Sequence, residues 1–440
     1  MQVQIEKLVY GGDGLARLPA DDKGPGKTIF VPSVIPGETV DVTLVETRPG
    51  FARAHLNQII DPSSERIEPG CPYFGRCGGC QYQHIDYPAQ LRYKTEILRE
   101  TLRRTAKLEL QSDIEVHAAE PWHYRNRTRM RIQTEPTFAL GYHRNASHQM
   151  LPVEHCPISS GLINDAIRAV WTLGNEGAVP ASVHGIQFFA NHDDQQLLIE
   201  LYVRPGNNAR ECQPFAAALH RLMPAVQGIV VFASSSVDDD SRQFAPLTSV
   251  HSDKGQAIGK DSMQYRVADH DFRVSAGAFF QTNRFLVEEL ARVAIGGHKG
   301  RAALDFYAGA GLFTLPLAPG FDEVLAIEAS PNSFADLRHN APPNTKPIRA
   351  TTEAFLTERG PKLAPDFVLV DPPRAGLGEK TARALGRMSV PRVTYVSCDP
   401  ATLARDLRVL LESGFRVEHA HLFDLFPQTA HLETVLQLAR

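Results

Sequence analysis

Apolar and polar residues alternate in short runs over the first sixty positions: VQIEKLVY, TIFVPSV, ETVDVTLVET and FARAHLNQII, separated by the turn formers GGDG, GPG, PG and RPG. Period-two alternation broken by glycine and proline predicts short strands closing into a small all-β barrel over 1–60. Asp61-Pro62-Ser63-Ser64 and Glu68-Pro69-Gly70 then read as a linker. Over 61–270 the pattern is mixed. An amphipathic helix runs from about Tyr87 to Ala106, expected to pack on the C-terminal part, and strands follow at HYRNRTRMRIQ, QLLIELYV and GIVVFAS. From 271 to 440 the rhythm becomes strand, turn, helix, strand: AALDFYAGAG, EVLAIEAS, PDFVLVDPPR, RVTYVSCDP, FRVEHAHLF and ETVLQLA. That rhythm predicts an open, Rossmann-like parallel sheet with helices on both faces, so the fold class is α/β with a barrel and a mixed α+β region before it.

Composition narrows the function classes. The chain has 440 residues, 43% of them hydrophobic and 22% charged, with a formal net charge of −4, which places it among globular proteins and away from disordered or fibrous ones. No window approaches the roughly eighteen apolar residues of a membrane helix, and MQVQIEKLVYGGDG lacks the apolar stretch of a signal peptide, so a cytoplasmic monomer without membrane contact is expected. In a reducing compartment six cysteines point to metal or catalysis rather than disulfides. Balanced charge means that any nucleic-acid surface is local.

Cys71-x5-Cys77-Gly-Gly-Cys80 gathers three thiolates within ten residues. Cys156 is the candidate fourth ligand, with His84 and His155 competing, and spacing alone allows either zinc or an iron–sulfur cluster. Cys212 stands alone and reads as a packing residue. In the C-terminal part, Asp305-Phe306-Tyr307-Ala308-Gly309-Ala310-Gly311 follows a strand and leads into Leu312–Ala318, a setting for a nucleotide-type ligand. One strand later Glu328 offers a carboxylate to ribose hydroxyls. Thr314 replaces the third glycine of the dinucleotide fingerprint and no phosphate-cradling G-x-x-x-x-G-K-[ST] is present, so S-adenosylmethionine suits the turn better than NAD or a nucleoside triphosphate. Asp371-Pro372-Pro373-Arg374 and Ser397-Cys398-Asp399-Pro400 end two further strands and aim at the same crevice. A cysteine before a helix N-terminus has a reason to ionise below about 8.5. Glu433, an acid inside an apolar strand, is either an edge carboxylate in solvent or functional. Arg125, Arg127, Arg129 and Arg131 recur every second residue beside Trp122 and Tyr124, which fits phosphate contact plus base stacking, with Arg92, Arg99, Arg103, Arg104 and Lys107 on the preceding helix.

The set C-x5-C-G-G-C, SAGAFFQTN, DFYAGAG, VDPPRAG, YVSCDP and HLETV resembles the S-adenosylmethionine-dependent RNA (uracil-5-)-methyltransferases, in particular the branch acting on 23S ribosomal RNA. The resemblance covers nearly the whole chain, because 1–60 is similar to the TRAM barrel, an OB-like module, of that branch. It implies a [4Fe–4S] cluster on Cys71, Cys77, Cys80 and Cys156, a cofactor site lined by Gln281, Tyr307, Glu328 and Asp371, Cys398 as nucleophile, Glu433 as general base, and RNA, ribosomal or transfer, as partner. Three positions depart from the family pattern. Asp399 stands where asparagine is usual, which adds a charge able to raise the Cys398 pKa, Ala308 replaces a cysteine, and Leu312 a polar residue. The alternatives are methylation of an exocyclic base amine, and a non-catalytic iron–sulfur protein that binds RNA or senses redox state.

Overall fold

The computed structural model describes residues 1–18, 26–234 and 255–440. Most of the GPG turn expected at 24–26 lies outside these residues. Strands β1 (Gln2–Gln4), β2 (Lys7–Leu8), β3 (Gly14–Arg17), β4 (Thr28–Val31), β5 (Thr39–Arg48) and β6 (Phe51–Asp61) form a curled sheet in the order β1-β5-β6-β4-β3-β2. Its alternating side chains bury Val3, Ile29, Val31, Val40, Val42 and Ala52 in a small core of their own.

After the cysteine segment, α1 (Tyr87–Thr101) continues into a π-helical turn at Leu102–Ala106, and β7 (Glu115–His117) follows. Strands β8 (Arg127–Gln133), β9 (Ala139–His143) and β10 (Met150–Pro152) come next. Helix α2 (Gly161–Asn175) begins at Ser160, whose hydroxyl accepts the Ile163 N–H as an N-cap. With β11 (Val183–Ala190), β12 (Leu197–Val203), β13 (Val226–Ala233) and β14 (Gln256–Gly259) they make a seven-stranded sheet, covered by α2 and α3 (Ala209–Leu222). Every residue of β12 is buried, which explains why LLIELYV reads as a nearly unbroken apolar run. Strands β15 (Ser262–Val267) and β16 (His270–Ser275) form a separate hairpin.

The C-terminal elements are α4 (Val287–Ile295), β17 (Gly300–Phe306), α5 (Thr314–Leu317), β18 (Phe321–Glu328), α6 (Pro331–Asn340), β19 (Thr345–Arg349), α7 (Thr352–Glu358), β20 (Phe367–Val370), α8 (Glu379–Gly386), β21 (Arg392–Ser397), α9 (Pro400–Glu412), β22 (Arg416–Phe423) and β23 (Glu433–Ala439). The segment Leu312–Ala318 that follows the glycine turn holds only a single helical turn, Thr314–Leu317, continued by a 3-10 turn, because Pro316 and Pro319 interrupt it. The sheet order is β19-β18-β17-β20-β21-β23-β22-β7. From β19 to β21 the strands are parallel; β23 inserts antiparallel between β21 and β22. The edge strand β7 comes from far upstream and pairs parallel with β22, a connection that periodicity along the chain does not signal.

Helices flank both faces. On one face Tyr93, Ile97 and Leu98 of α1 and Leu102 of the following turn share a core with Leu403, Leu407 and Leu410 of α9; on the other, Leu290 of α4 and Leu315 of α5 pack with the β15–β16 hairpin. A charged bond fixes α1 to the sheet: Lys94 Nζ donates to Asp424 Oδ1 at 2.6 Å, both side chains fully buried, and Tyr87 donates to the same carboxylate at 3.0 Å. No helix among the described residues is long and apolar enough to cross a membrane. Removing one partner of a buried ion pair strands the other charge, so Lys94→Ala should cost about 3–5 kcal/mol in urea unfolding, and the double change Lys94→Met with Asp424→Leu should recover part of it.

Candidate active site

Strand β17 ends in a turn that only an unusual backbone allows. Tyr307 takes φ +63°, followed by Gly309 at +58° and Gly311 at +100°. A left-handed Tyr is strained, and such strain is retained where a turn is over-determined by its surroundings. A Cβ at Gly311 would meet Leu315 Cδ1 at 2.8 Å, whereas one at Gly309 would meet nothing within 4 Å, because Gly309 borders open space. Glu328, the last residue of the neighbouring strand, is buried beside it. Its Oε2 accepts the Gly309 N–H at 2.9 Å and its Oε1 the Ser330 N–H at 2.6 Å; burial nevertheless pushes the carboxyl above its ordinary range. Each oxygen keeps a lone pair for a further donor.

Three parallel or antiparallel strand ends deliver the remaining groups. Asp371 follows β20, Cys398 follows β21, and Glu433 opens β23, opposite Phe423 of β22. Glu433 is 3% exposed, so it is no solvated edge carboxylate. Burial first, and then the Asp371 charge, push it up, while Arg374 works the other way. Asp371 is raised by burial and by Asp305. Asp305, fully buried and holding the Thr314 hydroxyl at 2.5 Å, is pushed up by burial to about 7. Crowding reaches the thiol too. Burial, then Glu433 and Asp371, push Cys398 well above a free thiol, Arg374 pulls it down, and Asp399 adds a smaller push upward. The expectation of a readily ionised cysteine is therefore corrected: in the protein alone desolvation and flanking acids outweigh the helix N-terminus.

Arg374 and His431 are site residues that motif reading passed over. Arg374 Nη2 lies 3.2 Å from His431 Nδ1, and both line the site with Cys398 and Glu433. Arg374 stood in the D-P-P-R quartet, so the signal was there; nothing in the sequence set it against the thiol. Asp399 is occupied elsewhere. Its Oδ1 accepts the Ala401 and Thr402 N–H groups as the N-cap of α9, and its Oδ2 accepts Tyr10 Oη at 3.1 Å from the curled sheet.

A cavity of 830 Å3 joins these groups. All ten residues singled out from the sequence line it: Cys71, Cys77, Cys80, Cys156, Gln281, Tyr307, Glu328, Asp371, Cys398 and Glu433. Its wall also carries Arg125, Arg127, Arg129, Arg131 and His155. His84 turns away, its Nε2 3.3 Å from Val34 O.

The basic residues need correction. Arg127 is buried in the wall, donating to Ala278 O at 2.6 Å with its guanidinium 4.0 Å over the Phe189 ring, rather than displayed on an outer face. Arg129 lies 3.9 Å over Tyr202. Tyr124 cannot stack on a base, because it is fully buried with its hydroxyl on Pro427 O. On the helix, Arg92 pairs with Glu65 at 2.6 Å, Arg99 with Asp113 at 3.5 Å and Arg104 with Glu100 at 3.2 Å, while Arg103, Arg104 and Lys107 line a separate shallow depression.

An open α/β sheet with an acid-terminated second strand, a glycine turn and a cysteine among carboxylates at its strand tips is the architecture of a group-transferring enzyme that binds a nucleoside-type cofactor. A family model described as tRNA (Uracil-5-)-methyltransferase matches residues 86–440, and the TRAM domain model matches residues 1–56. The chain is 33% identical to the 23S rRNA (uracil(1939)-C(5))-methyltransferase RlmD of Chromohalobacter salexigens, over 100% of this chain and 89% of that protein. It is 30% identical to the protein of the same name from Shewanella amazonensis, over 98% and 94%. Among solved structures, the tRNA (uracil-54, C5)-methyltransferase of Pyrococcus abyssi, in complex with S-adenosyl-L-homocysteine, superposes with a TM-score of 0.75 at 22% identity, covering 99% of both chains, so the fold is shared. The chain belongs to the RNA (uracil-5-)-methyltransferase family. This membership removes both alternatives, the exocyclic-amine methyltransferase and the non-catalytic iron–sulfur protein.

Arg374 is the cation that lowers the Cys398 pKa. Arg374→Gln should therefore slow alkylation of Cys398 by iodoacetamide several-fold at a fixed pH near 8 and move the alkylation profile to higher pH, as followed by peptide mass analysis.

Proposed function

We propose that the protein forms 5-methyluridine in 23S ribosomal RNA through covalent catalysis by Cys398. The observation that carries this reading is the meeting of Cys398, Glu433 and Asp371 in one cavity with the Glu328–Gly309 pair. The choice of ribosomal RNA rests on the names of the two relatives at 30–33% identity.

Glu328 and the open backbone at Gly309 suit S-adenosylmethionine: the carboxylate would accept the ribose hydroxyls, and no side chain at 309 blocks close approach. When bound, S-adenosylmethionine supplies an electrophilic methyl on a sulfonium. Tyr307 and Gln281 also line the cavity, and Gln281 would hydrogen-bond at the junction of cofactor and base. C5 of uracil is too weak a nucleophile to take a methyl unaided. Cys398 gives its proton to solvent in the open cavity, and its thiolate bonds to C6 and pushes the C5–C6 π electrons into an enolate, so that C5 can accept the methyl. Arg374 favours the thiolate and counters the carboxylates. Asp371 contacts the polar edge of the base. The Glu433 carboxylate then takes the C5 proton; the C5–H electron pair re-forms the C5=C6 double bond as the S–C6 bond breaks, and the Cys398 thiolate is released. The base reaches these groups only by leaving its stack, at a cost of a few kcal/mol. Arg125 and Arg127 hold buried N–H groups without partners in the cavity wall, which suits an anionic ligand.

The four cavity cysteines suit a [4Fe–4S] cluster. Sulfurs of a tetrahedral zinc site lie about 3.8 Å apart, given Zn–S bonds of about 2.3 Å. Among the described residues no three cysteine sulfurs all lie within 4.8 Å of one another, so the cysteines are not gathered as tightly as a single zinc ion requires. Cys77 Sγ also accepts the Gly79 N–H, the kind of bond that tunes such clusters. Cys71, Cys77, Cys80 and Cys156 would hold it and order the segment between the curled sheet and α1.

RNA carrying 5-fluorouridine at the target, which has no removable C5 proton, tests the chemistry. A covalent adduct stable to denaturing gels is expected with S-adenosylmethionine, absent in Cys398→Ala, whose turnover on ordinary RNA should fall about a thousandfold or more. Glu433→Gln should slow turnover by about 10²–10⁴ and accumulate the methylated adduct on ordinary RNA. Methylation without any adduct would defeat the covalent reading. Separately, protein purified without oxygen should contain about four iron and four sulfide per chain, falling towards zero in Cys80→Ser.

A further inference from the structure

At the far edge of the C-terminal sheet, away from the cysteines, three potential ligands converge. Glu115 of β7 sits in register with His421 of β22, and His117, two residues along β7, points to the same side. His117 Nε2 lies 3.1 Å from His421 Nδ1; one oxygen of Glu115 is 3.7 Å from His117 Nε2 and the other is 3.4 Å from His421 Nδ1. Bonds of about 2.0–2.1 Å in a tetrahedral site give ligand separations of about 3.3 Å, close to these values. Among the described residues this is the group whose potential ligand atoms all lie within 4.8 Å of one another.

The surroundings fix the ligand geometry. His117 is buried, its ring stacked on Phe423 at 4.2 Å and 8°, and its Nδ1 is 2.8 Å from Glu289 Oε1 of α4. Glu289, held as a carboxylate by that contact and by Arg292 at 3.3 Å, accepts the Nδ1 proton, which leaves the Nε2 lone pair facing His421. A carboxylate behind a histidine is the arrangement that orients metal-binding imidazoles. Without a metal, His421 Nδ1–H donates into that lone pair; with one, His421 keeps its proton on Nε2 and both lone pairs face the ion. Glu115 and Glu289 bring two negative charges toward a dication, one of them offset by Arg292. Glu115, which is exposed, closes the group from the solvent side and leaves an entry path.

We propose that Glu115, His117 and His421 form a second metal site, for Zn2+ or a similar first-row dication, with water in the remaining position and Glu289 orienting His117. Two imidazoles and one carboxylate suit these borderline cations rather than Mg2+ or Ca2+. The ion would clip the three-residue edge strand β7 to β22.

Co2+, added alone to the full chain isolated with its cysteine site filled, is the probe. One equivalent should give visible d–d absorption without the sulfur-to-metal charge-transfer bands that thiolate ligation produces. Glu115→Gln, at an exposed position, and His421→Asn should each weaken Co2+ binding at least tenfold, and Glu289→Gln about tenfold or more. Zn2+ should raise the melting temperature of the parent and not of His421→Asn. Absence of Co2+ absorption, retention of full affinity in both Glu115→Gln and His421→Asn, or a thiolate-type spectrum abolished by Cys80→Ser would each overturn the site.

Discussion

The active-site cavity is governed by the cost of taking acids out of water. Asp305, Asp371, Glu433, Glu328 and the Cys398 thiol are collected at the ends of adjacent strands, and for each of them burial is the largest upward push. An open parallel sheet sends all its strand ends to one side, so a sequence that places an acid or thiol after several strands concentrates them there. The fold answers locally: backbone N–H groups take up Glu328, the Thr314 hydroxyl takes Asp305, and Arg374 stands against Cys398 and Glu433. A polyanionic substrate pushes Glu433 and Cys398 further toward their protonated forms, whereas a cation beside them, as Arg374 is here, works the other way.

Much of this was legible in order and face, and less in depth. Alternation over the first sixty residues announced the strands of the curled sheet, and the strand-turn-helix rhythm announced the C-terminal sheet, because both depend on local period. Of the cavity's ten chemical residues, Tyr307, Glu328, Asp371, Cys398 and Glu433 stand at strand ends and Cys71, Cys77 and Cys80 in a tight motif, whereas Cys156 is a distant fourth cysteine and Gln281 is reached only through the family resemblance. Depth was another matter. Arginine every second residue correctly put Arg125, Arg127, Arg129 and Arg131 on one lining, yet period two cannot say whether that lining is an outer surface or a cavity wall. Tyr124 was misread for the same reason. The recruitment of Glu115–His117 as an edge strand, and the setting of Arg374 against Cys398, arise from pairings between distant segments and leave no local trace.

Buried polar bonds carry the connections between regions. Lys94 with Asp424, Tyr87 with the same carboxylate, and Gln90 with Gln428 tie α1 to the loop that precedes Glu433. Directional bonds of this kind fix a register that apolar contact alone leaves loose. The helix therefore positions the strand that carries Glu433 even though it lies more than three hundred residues away in sequence.

The Tyr10–Asp399 bond places the curled sheet in the same account. Asp399 is at once the cap of α9, the neighbour of Cys398 and the docking point for the N-terminal strands. Exchanging residues 1–56 for the corresponding module of a relative would therefore alter more than RNA grip: a graft lacking the phenol at position 10 would leave the Asp399 carboxylate with a different partner and shift the protonation balance of the thiol beside it. In this chain the N-terminal module and the loop that carries Cys398 are joined through Tyr10 and Asp399, so a change at either position alters the surroundings of the other.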